Sequence, residues 1–109
     1  MKHIVWLGNT IKNVRSYSAE AKAEIGYNLE KVQCGKEPSD WKPMISIGKG
    51  VKEIRIHLEN EYRIIYVAKF PEAIYVLNAF IKKTQQTTLQ DIKLTKNNYA
   101  AMLKLRSLL

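Results

Sequence analysis

The chain has 109 residues, a length that fits one domain. Its 46% apolar and 26% charged residues are a globular balance, which argues against a disordered chain. Eighteen Lys/Arg against ten Asp/Glu leave a net charge of +8, which points to a polyanionic partner such as nucleic acid, an anionic membrane or an acidic protein.

Residues 1–15, MKHIVWLGNTIKNVR, hold only a short apolar stretch and no small-residue cleavage site, so no signal peptide is expected. His3 to Leu7 reads as a short strand. Gly8-Asn9-Thr10 breaks it, and Thr10 can cap one short helical turn through Ile11 and Val14. Ser18 can cap a longer helix, in which Ala21, Ile25, Leu29 and Val32 recur at three- and four-residue steps on one face. Gly35 follows the last apolar position and suits a helix C-terminus. Two such sequential helices form a helical hairpin. Cys34, the only cysteine, excludes an intramolecular disulfide framework, suits a cytoplasmic protein and reads as an inert thiol.

Residues 36–50 read as a loop, punctuated by Pro38, Pro43, Gly48 and Gly50, with Trp41 and Met44 to Ile47 as apolar anchors. Val51 to Leu58 then alternates, with Ile54, Ile56 and Leu58 on one face and Glu53, Arg55 and His57 on the other. Glu59-Asn60 suits a tight turn. Tyr62 to Phe70 is mostly apolar on both faces, the pattern of a central strand. Pro71-Glu72 breaks it, and Ala73 to Ile81 is a third such run. The short connections predict an antiparallel meander. Thr88 and Asp91 have the spacing of a capping box, with Asp for the commoner Glu. Ile92, Tyr99 and Leu103 mark one face of a C-terminal helix, with Met102 beside them. No apolar run approaches the ~20 residues that a membrane span needs. Neither a repeat nor a linker interrupts the chain, so residues 1–109 are expected to form one α+β domain, a small, mostly antiparallel sheet with helices against it.

Strong enzyme constellations are absent from the sequence. His3, His57 and Cys34 are too few and too scattered for a zinc site, and Gly48-Lys49-Gly50 lacks the remaining glycines of a phosphate loop, so neither a metal nor a cofactor is expected. What stands out is charge: from Lys82 onward there are six basic residues and a single acid, Asp91. Arg55 and His57 lie on the polar face of their strand, Arg63 interrupts an apolar one, and Lys82 and Lys83 end the third. On one surface these cations suit phosphates, since a guanidinium fork binds phosphate oxygens in bidentate fashion. Tyr62, Tyr66 and Tyr75 offer rings on which RNA bases stack, or are core aromatics. Arg63 either faces a groove or forms a cross-strand ion pair with Glu53 or Glu61. His57 is either a surface strand residue or an acid–base group.

WLGNTIKNV at 6–14, CGKEPSDWKPMISIGKGVKEIRI at 34–56, EYRIIYVAKF at 61–70 and VLNAFIKKTQQT at 76–87 together resemble the phage-related HigB-type branch of the RelE/ParE toxin superfamily. The resemblance spans nearly the whole chain, and DWKPM, GVKEIRI, YR-x-x-Y at Tyr62–Tyr66 and FIKKT are its most specific pieces. It implies a RelE-like α+β fold with an N-terminal helical hairpin, and the toxin of a type II toxin–antitoxin module. It further implies a ribosome-dependent endoribonuclease that cuts mRNA and inhibits translation. The implied partners are mRNA on the ribosome and a cognate antitoxin, often of helix-turn-helix type, through which the module reaches operator DNA. No membrane is implied. ParE-like relatives instead inhibit DNA gyrase, and a degenerate member would only bind its antitoxin or RNA.

The resemblance also assigns residues. Arg63 after Tyr62, Lys83 near the end of the following strand and Arg55 on the preceding strand match catalytic basic positions. Lys52, His57, Tyr66 and Lys82 are the accompanying RNA-binding candidates. The late tyrosine of several RelE toxins has no equivalent here, Leu89 falling near that position, and catalytic histidines of that region find no match either. Tyr66 and His57 are the candidates to substitute.

Overall fold

The computed structural model describes residues 1–109. The elements are β1 (His3–Trp6), α1 (Thr10–Arg15), α2 (Ala19–Gln33), β2 (Trp41–Pro43), β3 (Val51–His57), β4 (Glu61–Val67), β5 (Ala73–Ile81) and α3 (Leu89–Arg106). The sheet runs β1-β5-β4-β3-β2. All neighbours are antiparallel except β1, which pairs in parallel with β5. The α+β class, the meander β3–β4–β5 and two consecutive N-terminal helices are as expected, consistent with a RelE-like fold.

Local chemistry sets most boundaries. The Ser18 hydroxyl accepts the Ala21 N–H at 3.2 Å and starts α2. The Thr88 hydroxyl accepts the Asp91 N–H at 3.1 Å and starts α3. Thr10 does not cap α1: it is the first helical residue, Asn9 holds the cap position, and no side chain bonds there. Within the expected 36–50 loop, Trp41–Pro43 is a strand, because Trp41 and Pro43 pair with Ile54 and Lys52 along the edge of β3. Proline is tolerated on such an edge, where no ladder bond is lost.

Helices cover both faces of the sheet. On one face, Ala21, Ile25, Leu29 and Val32 of α2 and Val14 of α1 pack on Ile54, Ile56, Tyr62, Ile64, Tyr66 and Ile74. On the other, Met102 of α3 joins Val51, Ile65, Val67, Tyr75, Leu77 and Phe80. Strand β4 is therefore buried on both sides, with Arg63 its only cation. Tyr62, Tyr66 and Tyr75 are core aromatics, each with its ring shut away from solvent. Burying each such ring contributes roughly 1.5–3 kcal/mol.

A bulge fixes α3. Ile65 opposes Asn78 and Tyr66 opposes Val76, so Leu77 is an extra residue on β5. The buried Asn78 amide donates to the Thr95 hydroxyl at 3.2 Å and to the Asp91 carboxylate at 3.3 Å. Asn98 reaches back to the Leu77 carbonyl at 2.8 Å. This polar attachment selects the face of α3 that turns inward. Thr95 and Met102 are buried, whereas Leu103, expected on the inner face, is 44% exposed.

The far end of α3 is held by charge. Arg106 Nε donates to Glu72 at 2.6 Å, Tyr75 donates its hydroxyl to the same carboxylate at 2.8 Å, and the Arg106 guanidinium lies 3.4 Å over the Phe70 ring centre. The Arg106 hydrogen bond holds the Glu72 carboxyl down at about 2. A depressed carboxyl pKa stabilises the fold above the unfolded-state value near 4.5, and that stabilisation is lost as pH falls through about 2. Urea unfolding of the Glu72→Gln variant should therefore show a deficit against wild type that is full above pH 5. The deficit should shrink with acidification and close near pH 2. A deficit that does not change with pH would show that the pair contributes only packing.

Candidate nucleic-acid interface

The face of the sheet that carries α3 also carries Glu53, Arg55 and His57 of β3 and Glu61 and Arg63 of β4. Cross-strand pairing sets Arg55 opposite Arg63, His57 opposite Glu61 and Arg63 opposite Phe80. The Lys82 N–H bonds to the Glu61 carbonyl at 2.7 Å, so pairing extends one residue past β5 and brings Lys82 to the same end of the sheet.

Arg63 is only 4% exposed and Glu53 only 1%. Arg63 Nε lies 3.8 Å from Glu53, its NH2 group donates to Glu61 at 3.3 Å, and its NH1 group donates to the Tyr62 carbonyl at 2.9 Å. Both alternatives for an ion-pair partner are thus realised at once. The Glu53 oxygens lie near Lys42 Nζ as well, at 3.9 Å, but accept no hydrogen bond. A buried carboxylate without such bonds depends on its cations, because desolvation would otherwise make it costly.

Glu61 passes the chain of contacts outward. Its carboxylate contacts His57 Nδ1 at 2.6 Å, and Asp40 contacts His57 Nε2 at 2.7 Å. Asp40 is placed by the start of β2, where its carbonyl accepts the Arg55 N–H at 2.9 Å. The hydrogen bond to Asp40, then that to Glu61, raises the pKa of His57 above its ordinary 6.5. The result is a continuous chain, Asp40–His57–Glu61–Arg63–Glu53, running from the surface into the sheet. Around it, Arg55 and Lys82 are half-buried, Lys83 is exposed, and none of the three has an acidic partner. Beside Lys82 and Lys83 the surface is indented by a shallow hollow of about 140 Å³, rimmed by Phe80, Thr84, Gln86 and Thr88.

The candidate residues do not form one surface. Arg55, His57, Arg63, Lys82 and Lys83 gather at one end of the sheet. Lys52 and Tyr66 lie opposite one another near the other end and on the α2 side. The odd spacing of Lys52 from Arg55, and of Arg63 from Tyr66, puts the members of each pair on opposite faces of their strand. Asp40, Glu53 and Glu61 had no place among the site candidates. Asp40 stands inside the DWKPM segment, a signal that could have marked it.

Residues 12–100 match the protein-family model described as "Phage derived protein Gp49-like (DUF891)". The chain belongs to this family. The Gp49-like family is RelE/toxin-like in general character, and its match runs from within α1 through α2 and β2 to β5 into most of α3. No curated protein matches the chain. No helix is long and apolar enough to cross a membrane, and no group of His, Cys, Asp and Glu side chains in this Gp49-like domain could hold a metal ion.

The raised His57 pKa has a linked effect on stability. A raised histidine pKa stabilises the fold below the unfolded-state value near 6.5, and the contribution is lost as pH rises through the folded-state value. NMR titration of the imidazole should give a midpoint above 6.5 in wild type. The midpoint should fall in Asp40→Asn and again in Glu61→Gln. An unchanged midpoint in both variants would remove the two carboxylates as its cause.

Proposed function

We propose that this Gp49-like chain is the toxin of a type II toxin–antitoxin module, related to the HigB-type branch, and that it acts as a ribosome-dependent endoribonuclease on mRNA. One observation carries the proposal: the Asp40–His57–Glu61–Arg63 chain shares its end of the sheet with three cations without acidic partners, Arg55, Lys82 and Lys83. Three tasks are needed to cut RNA: removing the 2′-hydroxyl proton, stabilising the charge on phosphate, and protonating the leaving 5′-oxygen. Arg55, Lys82 and Lys83 are free to hold the phosphate oxygens. The raised pKa of His57 lets it hold its proton to higher pH than a free imidazole, and release of one carboxylate contact turns an N–H toward the 5′-oxygen. Asp40 is the carboxylate left to accept the 2′-hydroxyl proton, since the His57 hydrogen bond lowers the pKa of Glu61 and weakens it as a base. The 2′-oxygen then bonds to phosphorus as the bond to the 5′-oxygen breaks, leaving a 2′,3′-cyclic phosphate and a 5′-hydroxyl.

In this proposal Arg63 holds Glu61 and, through it, His57. It reaches phosphate only by giving up a carboxylate. The hollow beside Lys82 is too shallow to enclose a nucleotide, which supports a need for the ribosome to align the strand. The partners in this account are mRNA on the ribosome and a cytoplasmic cognate antitoxin, of helix-turn-helix type, that blocks the basic end of the sheet and carries the pair to operator DNA.

The test is a pulse of expression followed by transcriptome-wide mapping of new RNA 5′ ends. Wild type should cut within translated frames. Arg55→Ala and Lys82→Ala remove unpaired cations, so thermal unfolding should change little while cleavage falls about 10²-fold. Growth arrest with altered DNA supercoiling and no new RNA ends would replace the proposal with gyrase inhibition. A folded protein that causes no arrest would leave a binding module.

A further inference from the structure

A second basic site lies on the opposite face and at the opposite end of the sheet from His57 and Arg63. There a cleft of about 200 Å³ opens where the end of α2 meets the start of β3 and the end of β4. Four lysines, Lys2, Lys36, Lys52 and Lys69, line it, with Glu37 as the one acid and Tyr66 as the one aromatic. Two left-handed glycines shape it. Gly35 (φ 82°) reverses the chain after α2, closed by the Lys36 N–H to the Lys31 carbonyl at 2.9 Å, and carries Lys36 and Glu37 to the rim. Gly50 (φ 82°) lets Lys69 lie across the chain, since a Cβ there would stand 2.7 Å from Lys69 Cδ.

The donors are only partly used. Lys2 Nζ gives one hydrogen bond, to the Ala68 carbonyl at 2.6 Å. Lys52 Nζ donates to the two Glu37 oxygens at 3.0 and 3.2 Å and lies 4.6 Å over the Trp41 ring. Lys36 and Lys69 have no acidic partner. Burial, then the nearby Glu37 carboxylate, raises the pKa of Tyr66, so its hydroxyl remains a donor. Four lysines and a phenol line a cleft that holds one carboxylate, a site short of negative charge; Lys69 Nζ rests 5.1 Å over the Phe70 ring.

We propose that this cleft binds a phosphate group, and that Glu37 is its internal stand-in, bonded to Lys52 until a phosphate displaces it. The ligand is a phosphate dianion, free or at the end of a nucleotide. The volume suits nothing as large as the ~300–1,000 Å³ of ordinary small-molecule sites. The site is separate from the proposed ribonuclease centre and does not depend on it.

The test uses the full chain and amide NMR spectra. Inorganic phosphate is titrated in at constant ionic strength, with sodium chloride making up the difference. Saturable shifts should be confined to residues around 35–37, 50–52 and 66–69. Glu37→Gln removes the competing carboxylate and should tighten binding roughly fivefold, and Lys36→Ala should weaken it by a similar factor. Both positions are exposed, so the fold is not at stake. Adenosine monophosphate binding more tightly than phosphate would make a nucleotide end the ligand; equal affinity would make it free phosphate. Shifts that chloride reproduces, shifts spread over every lysine, or a Glu37→Gln variant that binds no more tightly would overturn the proposal.

Discussion

A guanidinium in the middle of a doubly covered sheet is the constraint around which this protein is built. Strand β4 is buried by α1 and α2 on one side and by the α3 cluster on the other, yet its third residue is Arg63. A charge at such a place persists only with partners. Glu53 supplies one from β3 and Glu61 another from β4 itself. Each then has consequences. Glu53 is buried and draws Lys42 from the edge strand, which ties β2 to the sheet. Glu61 remains partly open to solvent and holds His57, which holds Asp40. The acid–base chain at the surface is thus an extension of the compensation that Arg63 requires.

The same arrangement divides the basic residues into two groups. Cations whose acidic partners were taken by Arg63 and His57, namely Arg55, Lys82 and Lys83, are left at one end without counter-charges. At the other end Glu37 holds only Lys52, and Lys36 and Lys69 are left over. Two groups of cations without acidic partners therefore stand on opposite faces of the sheet. A long-range positive field draws polyanions to both, and local geometry decides what each can hold.

Local signals in the sequence were sufficient for most of the fold. The alternation from Val51 to Leu58 and the caps at Ser18 and Thr88 depend on near neighbours and stand, although Asp91 accepts the Thr88 hydroxyl rather than closing the capping box on the Thr88 N–H. Features that depend on distant partners were not legible. Trp41–Pro43 becomes a strand only because β3 offers an edge. The bulge at Leu77 adds one residue to an unbroken apolar run and leaves no mark in the pattern. Leu103 turns outward, and Thr95 and Met102 inward, as a buried amide, Asn78, holds the Thr95 hydroxyl, which an apolar periodicity does not detect. At the candidate site, the pairing options of Arg63 could be named from strand spacing, but Asp40 could not, since it reaches His57 across a loop. The separation of Lys52 from Arg55 was legible, for three residues along a strand change the face.

The central claim is that Arg63 serves the fold and the chemistry through the same carboxylates. The most direct measurement compares unfolding free energy and RNA cleavage on translating ribosomes in wild type, Arg63→Met and the double variant Glu53→Met/Arg63→Met. Arg63→Met alone strands a buried carboxylate and should lose about 3–5 kcal/mol, whereas the double variant replaces the pair by apolar volume and should recover most of it. Cleavage should stay lost in the recovered double variant, because Glu61 then lacks the cation that anchors it beside His57. A double variant that regains both stability and cleavage would contradict the account, leaving Arg63 as a structural charge alone.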